Sequence, residues 1–267
     1  MSVAFVTTIN KNLYDQYGKR FIYEFAEFSS EKIKLFIVFE GEYPEEILNI
    51  SKNIMVIPFL SQDHQHFMKY YGKLFEANGI RMKTFIENGQ QKIQINNDYR
   101  FNAIKFSYKP FSIHQVLNYL PENLDYLIWT DADLRCKKNF DIDSLKNFLP
   151  GDQFLMSYLG RKKPWYSECG FLIFNTAHKD FQNYINRIIN IYKTGEIFSL
   201  EQWHDSWIWD HVRNEFEENH NTGFKNISGR GYELEHPFVN CGLEEFFDHL
   251  KGPSRKQTGQ SSPDDFK

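Results

Sequence analysis

Two carboxylates separated by one small residue, Asp131-Ala132-Asp133, follow directly on the apolar run Leu124 to Thr130. Such a run reads as a strand buried on both faces, and in an open α/β sheet ligands bind at the carboxyl ends of these strands. Placed there, the pair can face one hard cation, Mn²⁺ or Mg²⁺, with nucleotide phosphates as further oxygen ligands. Helix capping is the alternative for both side chains, and it is the reading for Asp141-Ile142-Asp143, where Asp143 or Ser144 is expected to cap a helix over Leu145 to Phe148. A second cluster, His249-Leu250-Lys251-Gly252-Pro253-Ser254-Arg255-Lys256, combines an imidazole, a Gly-Pro turn and cations. Those types suit a metal site and a diphosphate, with a solvated basic tail as the competing reading. Asp205 shares a helical face with Ile208, Val212 and Phe216, so its carboxylate is expected to turn inward. There it either bonds backbone N–H groups or sits at a cleft with Glu201, Gln202 and His204. Trp203, Trp207 and Trp209 around it are read as core, with a pocket wall as the alternative. Glu168 precedes the strand-like Gly170 to Phe174 and is expected at the same sheet edge. Cys169 beside it has no neighbouring cation or imidazole in sequence and reads as a packed thiol.

The elements that position these residues follow from apolar periodicity. Val3 to Ile9, Ile33 to Phe39 and Ile54 to Leu60 are short runs rich in β-branched and aromatic residues, expected as three core strands. Leu13, Tyr17, Phe21, Phe25 and Phe28 recur at near-helical spacing between the first two, so strand, helix, strand implies parallel pairing. Gly72 to Gln91 is polar and reads as irregular; Asp98 to Tyr108 reads as one helix, and Pro110 as the first turn of a second, marked by Ile113, Val116, Leu117 and Leu120. Gln153 to Leu159 is strand-like, Phe181 to Tyr192 is an amphipathic helix, and a further helix is expected over Glu201 to Phe216. The chain turns irregular from Gly229, and residues 257–267 have a composition expected to be disordered. The fold class is therefore α/β, a Rossmann-type mixed sheet flanked by helices in a single domain over 1–256.

Composition narrows the function. With 267 residues, 41% hydrophobic and 25% charged, the chain is an ordinary globular protein. A net charge of -4 offers no field for a nucleic-acid backbone. Three cysteines without a CxxC or Cys/His pairing suggest neither a disulfide framework nor a zinc site, and a reducing, cytoplasmic setting is expected. No apolar stretch is long enough to cross a bilayer, and the N-terminal run is too short for a signal peptide. The 26 Phe, 15 Tyr and 5 Trp are more than a core strictly needs; core packing is the reading for most individual rings, with a pocket for a flat or sugar-like ligand as the alternative for some.

The order of Asp131-Ala132-Asp133, Gly170 to Asn175, Glu201 to Ser206 and His249-x-x-Gly252-x-x-Arg255 resembles the glycogenin and bacterial lipopolysaccharide galactosyltransferase family of retaining glycosyltransferases, which have the GT-A fold. The segment Thr7-Thr8-Ile9-Asn10-Lys11-Asn12-Leu13-Tyr14 is similar to that family's strand end, which holds the nucleotide base. The resemblance spans Val3 to Lys256 and implies 1–135 as the nucleotide-binding half and 136–256 as the half for donor sugar and acceptor. It implies that Asp131, Asp133 and His249 hold Mn²⁺, with Asp131 also near the ribose, that Thr7 and Thr8 lie at the base and Tyr14 stacks on it, and that Lys109 touches donor phosphate and sugar. Gly252 and Arg255 fall at the diphosphate positions, with Lys256 adjacent; Asp205 matches the acidic residue gripping the donor sugar, with Gln202 or His204 as neighbours. Transfer from a UDP-sugar to a glycan hydroxyl with retention is the implied reaction. Glu168 stands where the family has Asn, and so Glu168 or Asp205 as the base of an inverting transferase is an alternative. A sugar-phosphate nucleotidyltransferase is another, weakened because Thr7 to Tyr14 holds no glycine; a non-catalytic carbohydrate-binding protein is a third. Donor sugar, acceptor and oligomeric state are not legible.

Overall fold

A computed structural model describes residues 1–265. The expected opening strands appear as β1 (Val3–Asn10), β2 (Lys34–Glu40) and β3 (Ile54–Pro58), paired in parallel in the order β1, β2, β3. The β1 to β2 connection is helical but broken. A single turn α1 (Lys11–Leu13), capped by Asn10, runs into a π-turn over Tyr14–Gly18 and then α2 (Lys19–Phe28). Gly18 lets this turn pack close on β1: a Cβ there would lie 1.8 Å from Ile9 Cδ1 and would require the buried Ile9 side chain to shift. α3 (Gln62–Tyr71) follows, capped by Ser61.

The stretch expected to be irregular holds a β-hairpin, β4 (Ile80–Glu87) with β5 (Gln90–Asn97), and is corrected accordingly. Asn88 and Gly89 both have positive φ at its turn. An Asn-Gly pair between runs alternating apolar and polar is the strongest short-range hairpin signal, so the information was present in the sequence. The two helices expected around Pro110 are one, α4 (Ala103–Val116), which carries Pro110 buried inside it. Burial of ten of its residues outweighs the hydrogen bond that proline cannot donate.

β6 (Tyr126–Thr130) lies beside β1 in parallel and ends at the acidic pair. β7 (Leu134–Cys136) comes next, then α5 (Ile142–Leu145), whose cap is Asp141 rather than Asp143 or Ser144. β8 (Phe154–Leu159) and β9 (Glu168–Asn175) follow, then α6 (Phe181–Lys193), α7 (Asp205–His220) and β10 (Gly223–Asn226). The central sheet has seven strands in the order β10-β8-β9-β6-β1-β2-β3, and only β9 runs against the rest. Each face carries its own core. Val6, Leu127, Leu172 and Phe174 pack with α4, α6 and α7 residues, while Phe5, Ile128, Phe171 and Ile173 pack with Phe21, Phe25, Phe140 and Phe247.

β11 (Phe247–His249) pairs antiparallel with β7 and leads to α8 (Gly252–Thr258). Residues 257–265, expected as a disordered tail, instead return to the body, while 266–267 lie outside the described residues. Ser261 is buried on the Asp248 carboxylate, and Asp265 pairs with Arg255. Side-chain anchors on the preceding body supply what the tail's own composition lacks. No described helix is long and apolar enough to cross a membrane.

Buried His64 on α3 meets Ser107 Oγ of α4 at 2.9 Å, between the rings of Phe59, Tyr108 and Phe111. Burial pushes its pKa down to about 4. The unfolded chain therefore binds a proton that the folded chain refuses, and stability is lost as pH falls below the ordinary value near 6.5. At pH 5 the loss is about 2 kcal/mol. The fall in Tm between pH 7 and pH 5 is expected to shrink in His64→Gln; an equal fall in both proteins would refute this.

Candidate active site

A cleft of about 1200 Å³ opens at the carboxyl edge of the sheet. One wall holds Asp131, Asp133, His249, Lys251, Gly252, Lys256 and Tyr17; the other holds Tyr99, Phe106, Trp165, Tyr166, Gln202 and His204, with Glu168, Gly170 and Asp205 between them. The end of β6 delivers the acidic pair. Asp131 N–H donates to the Gly170 carbonyl of β9 at 3.0 Å and Asp131 Oδ1 accepts from Trp129 Nε1 at 2.9 Å, so the turn after β6 is fixed at both backbone and side chain. His249 arrives from the opposite end of the chain because β11 pairs its residue 249 with Leu134, one position past Asp133.

One ligand atom from each of Asp131, Asp133 and His249 lies within 4.8 Å of the others. His249 Nε2 is 3.2 Å from Asp133 Oδ1 and 4.0 Å from Asp131 Oδ2. Asp133 Oδ1 is buried with the His249 imidazole as its near polar neighbour, so its second lone pair is open to a cation. Two atoms ligating one small divalent cation at roughly 2.1 Å and a right angle stand about 3 Å apart. The donor set, two carboxylates and one imidazole, fits Mn²⁺ or Mg²⁺. Glu168, His236 and His249 form an overlapping trio, but Glu168 Oε2 already holds Lys251 Nζ at 2.9 Å.

The charges are arranged around these groups. Burial pulls the His249 pKa down, yet Asp133, with Glu168 and Asp131, raises it to about 8. Burial would raise Asp133, but His249 and Lys256, whose Nζ is 2.7 Å from Asp133 Oδ2, hold it below the usual carboxylate range. Glu168 is likewise held well below that range against burial, by Lys251, His249 and Arg161. Lys109, buried on α4, donates to Asp205 Oδ2 at 2.5 Å and the Cys169 carbonyl at 2.8 Å, and lies 3.1 Å from Asp131 Oδ1. Burial lowers its pKa, but the two aspartates raise it further, and Lys109 in turn keeps Asp205 below its ordinary value. Asp205 is thus turned inward as expected, and its second oxygen caps the first turn of α7 through Ser206 N–H. Gln202 and His204 reach the cleft on the segment before α7.

Several expectations are corrected by burial. Tyr14 does not stack on a ligand: it is 1% exposed, with its hydroxyl on Glu46. The helical break at Tyr14–Gly18 presents Gln16 and Tyr17 to the cleft instead. Thr7 is buried within β1 and Thr8 donates to the Val38 carbonyl at 2.9 Å, so neither lines the cleft. At that end of the sheet a separate hollow is lined by Asn10, Glu40, Phe59, His64 and Tyr108. Arg255 turns away to pair with Asp265, and the cleft receives Lys251 and Lys256. Helical geometry separates neighbours 255 and 256 onto different faces, which the motif could not convey. Trp203 and Trp209 are core, and Trp207 stacks on His211. Cys169 is a buried thiol whose pKa burial raises. Arg161, Trp165 and Tyr166 were not anticipated, since isolated residues in a loop carry no pattern.

Gly252 opens α8 with φ of +82° and faces open space. Gly170 is different. A Cβ on it would lie 2.6 Å from His249 Cε1 and 3.0 Å from both ring nitrogens. Gly170→Ala is therefore expected to displace the imidazole and lower Mn²⁺ affinity at least tenfold while far-UV circular dichroism stays unchanged; calorimetric titration with Mn²⁺ giving wild-type affinity would overturn this account of Gly170.

No protein-family model matches the chain, and no curated protein matches it by sequence. Solved structures do match in fold. The galactosyltransferase LgtC, solved with donor and acceptor sugar analogues, aligns over 94% of this chain and 87% of its own at 12% identity, with a TM-score of 0.50. A glycosyltransferase involved in glycosylating the major capsid of PBCV-1 aligns over 97% of this chain and 100% of its own at 10% identity, also with a TM-score of 0.50. Mouse xyloside xylosyltransferase 1 aligns over 85% of both chains at 11% identity, with a TM-score of 0.47. The chain has the GT-A fold.

Proposed function

We propose that this protein is a metal-dependent glycosyltransferase that moves a sugar from a UDP-sugar to an acceptor hydroxyl with retention of configuration. The observation that carries the reading is the convergence of Asp131, Asp133 and His249 at the carboxyl edge of the sheet, with the ammonium groups of Lys251 and Lys256 beside them. A bound divalent cation supplies Lewis-acid charge at the diphosphate oxygens. Lys256 leaves Asp133 to meet the diphosphate, and the backbone N–H groups of Gly252 and Ser254, on either side of Pro253, approach the same oxygens. The hollow at Asn10 and Glu40 suits the base. Glu40 accepts from Asn10 and shares the Thr8 hydroxyl hydrogen with the Val38 carbonyl, and its remaining lone pairs match the N3–H of uracil. Asp205, oriented by Lys109, faces the donor sugar.

Retention is favoured over inversion by the state of the two acids. A general base must bind a proton at working pH, but Glu168 is engaged by Lys251 and Asp205 by Lys109, and both are weak bases. The cysteines are unpaired among the described residues, which supports a reducing, cytoplasmic location.

The test is thermal denaturation with uridine, guanosine, cytidine and thymidine diphosphates, each with and without Mn²⁺. A Mn²⁺-dependent rise in Tm with UDP is expected; no rise with any diphosphate would remove the reading. Lys256→Ala should weaken UDP binding at least tenfold, whereas Arg255→Ala should leave it unchanged and lower Tm by freeing residues 257–265. Equal losses of affinity in the two variants would contradict the assignment of Lys256.

A further inference from the structure

We propose that the second wall of the cleft is a preformed stacking platform for the acceptor, and that the acceptor is a neutral glycan held by its sugar ring faces. The inference rests on the transferase reading. Trp165 is 49% exposed and Tyr99 is 66% exposed, unlike the rings of the two cores, and both line the cleft with Tyr166 and Phe106. Exposed aromatic faces beside a site offer the C–H face of a pyranose what water cannot, and hydroxyl edges then need donors and acceptors nearby.

Those are present. Gln202 Nε2 donates to the Tyr166 hydroxyl at 2.9 Å, and its Oε1 meets His204 Nε2 at 3.0 Å, so the Tyr166 O–H and His204 Nδ1 remain to pair with a ligand. Tyr99, Phe106 and Tyr166 surround the His204 ring at 5.7, 6.2 and 5.4 Å between centroids. The chain segments that carry the rings are fixed in advance. Arg161 donates to the carbonyls of Tyr166, Ser167 and Glu235, and Asp210 accepts from both Ser167 N–H and Ser167 Oγ–H. On the other side the Arg100 carbonyl accepts from Trp203 N–H at 2.7 Å, tying Tyr99 to the base of α7. A platform held this way loses little freedom when a ligand docks.

Neutrality follows from the cations. Arg100 forms a fork on Asp98, which balances its charge, and Arg161 is engaged by backbone carbonyls and lies 3.9 Å from the Glu168 carboxylate. Lys105, 5.5 Å from the Phe106 ring centroid, is the one ammonium among the described residues of this wall, and a single exposed cation contributes little toward holding an acidic sugar.

The experiment is retention of the full chain on an array of neutral, sialylated, uronic and sulfated oligosaccharides and unglycosylated peptides, with and without UDP and Mn²⁺. Neutral glycans should be retained, and Trp165→Ala and Tyr99→Ala should each lower that retention at least tenfold while leaving the Mn²⁺-dependent UDP shift in Tm at its wild-type value. Retention of nothing, of acidic glycans alone or of peptides, or retention undiminished in both variants, would overturn the platform. The two readings fail separately: glycan retention without any nucleotide shift sinks the transferase, and a nucleotide shift without glycan retention sinks the platform alone.

Discussion

Asp133→Ala is expected to abolish Mn²⁺-dependent nucleotide binding and to lower turnover at least about a hundredfold, because the interaction removed is worth several kcal/mol of transition-state stabilisation. Two groups depend on this one carboxylate. His249 Nε2 faces it at 3.2 Å and owes its raised pKa chiefly to it, and Lys256 Nζ sits 2.7 Å from its other oxygen. Without it the imidazole returns toward neutrality, and Lys256, already a third exposed, moves into solvent. No buried charge is stranded, so the fold should survive with circular dichroism unchanged. A Mn²⁺-dependent shift in Tm with UDP that persists in Asp133→Ala would remove the metal site from this account.

Lys109→Met carries the largest effect on stability. The lysine is buried between Asp205 and Asp131, and its ammonium hydrogens are matched by Asp205, Asp131 and the Cys169 carbonyl. Removing one partner of a buried pair leaves the other uncompensated, at about 3–5 kcal/mol, which for a chain of this size lowers Tm on the order of 10 °C. Asp131, with a third of its side chain exposed, recovers solvent more readily than Asp205 at 14%. The double variant Lys109→Met with Asp205→Asn should therefore be more stable than Lys109→Met alone. Additive losses, measured by denaturant unfolding of the four proteins of the cycle, would show that the two residues are not coupled.

The sequence alone determined the strands and the helices of clear period, because each rests on a short-range regularity, whereas His249 joined Asp131 and Asp133 as a candidate ligand only through the order of motifs along the whole chain. Val3 to Ile9, Ile33 to Phe39 and Leu124 to Thr130 are apolar runs that only a strand buried on both faces accommodates, and the acidic pair stands at the end of one. The hairpin at 80–97 was also written there, in Asn88-Gly89 and the alternation around it, although polar composition obscured it. What composition could not convey was which neighbour faces which way. Tyr14 and Tyr17 differ by three positions in a π-turn, and Arg255 and Lys256 by one in a helix, yet in each pair only the second meets the cleft. Tertiary structure decided those choices, because the direction of a side chain depends on the local helical phase and on what lies opposite. The tail shows the same dependence. Residues 257–265 bury nothing by themselves and are held because Asp248, Arg255 and Arg135 already stand where Ser261, Asp265 and the Gly259 carbonyl can reach them. The aromatic wall has no sequence signature at all: Tyr99, Phe106, Trp165, Tyr166 and His204 come from three separate segments, and only the packing of α4, α7 and the loop before β9 makes them one surface.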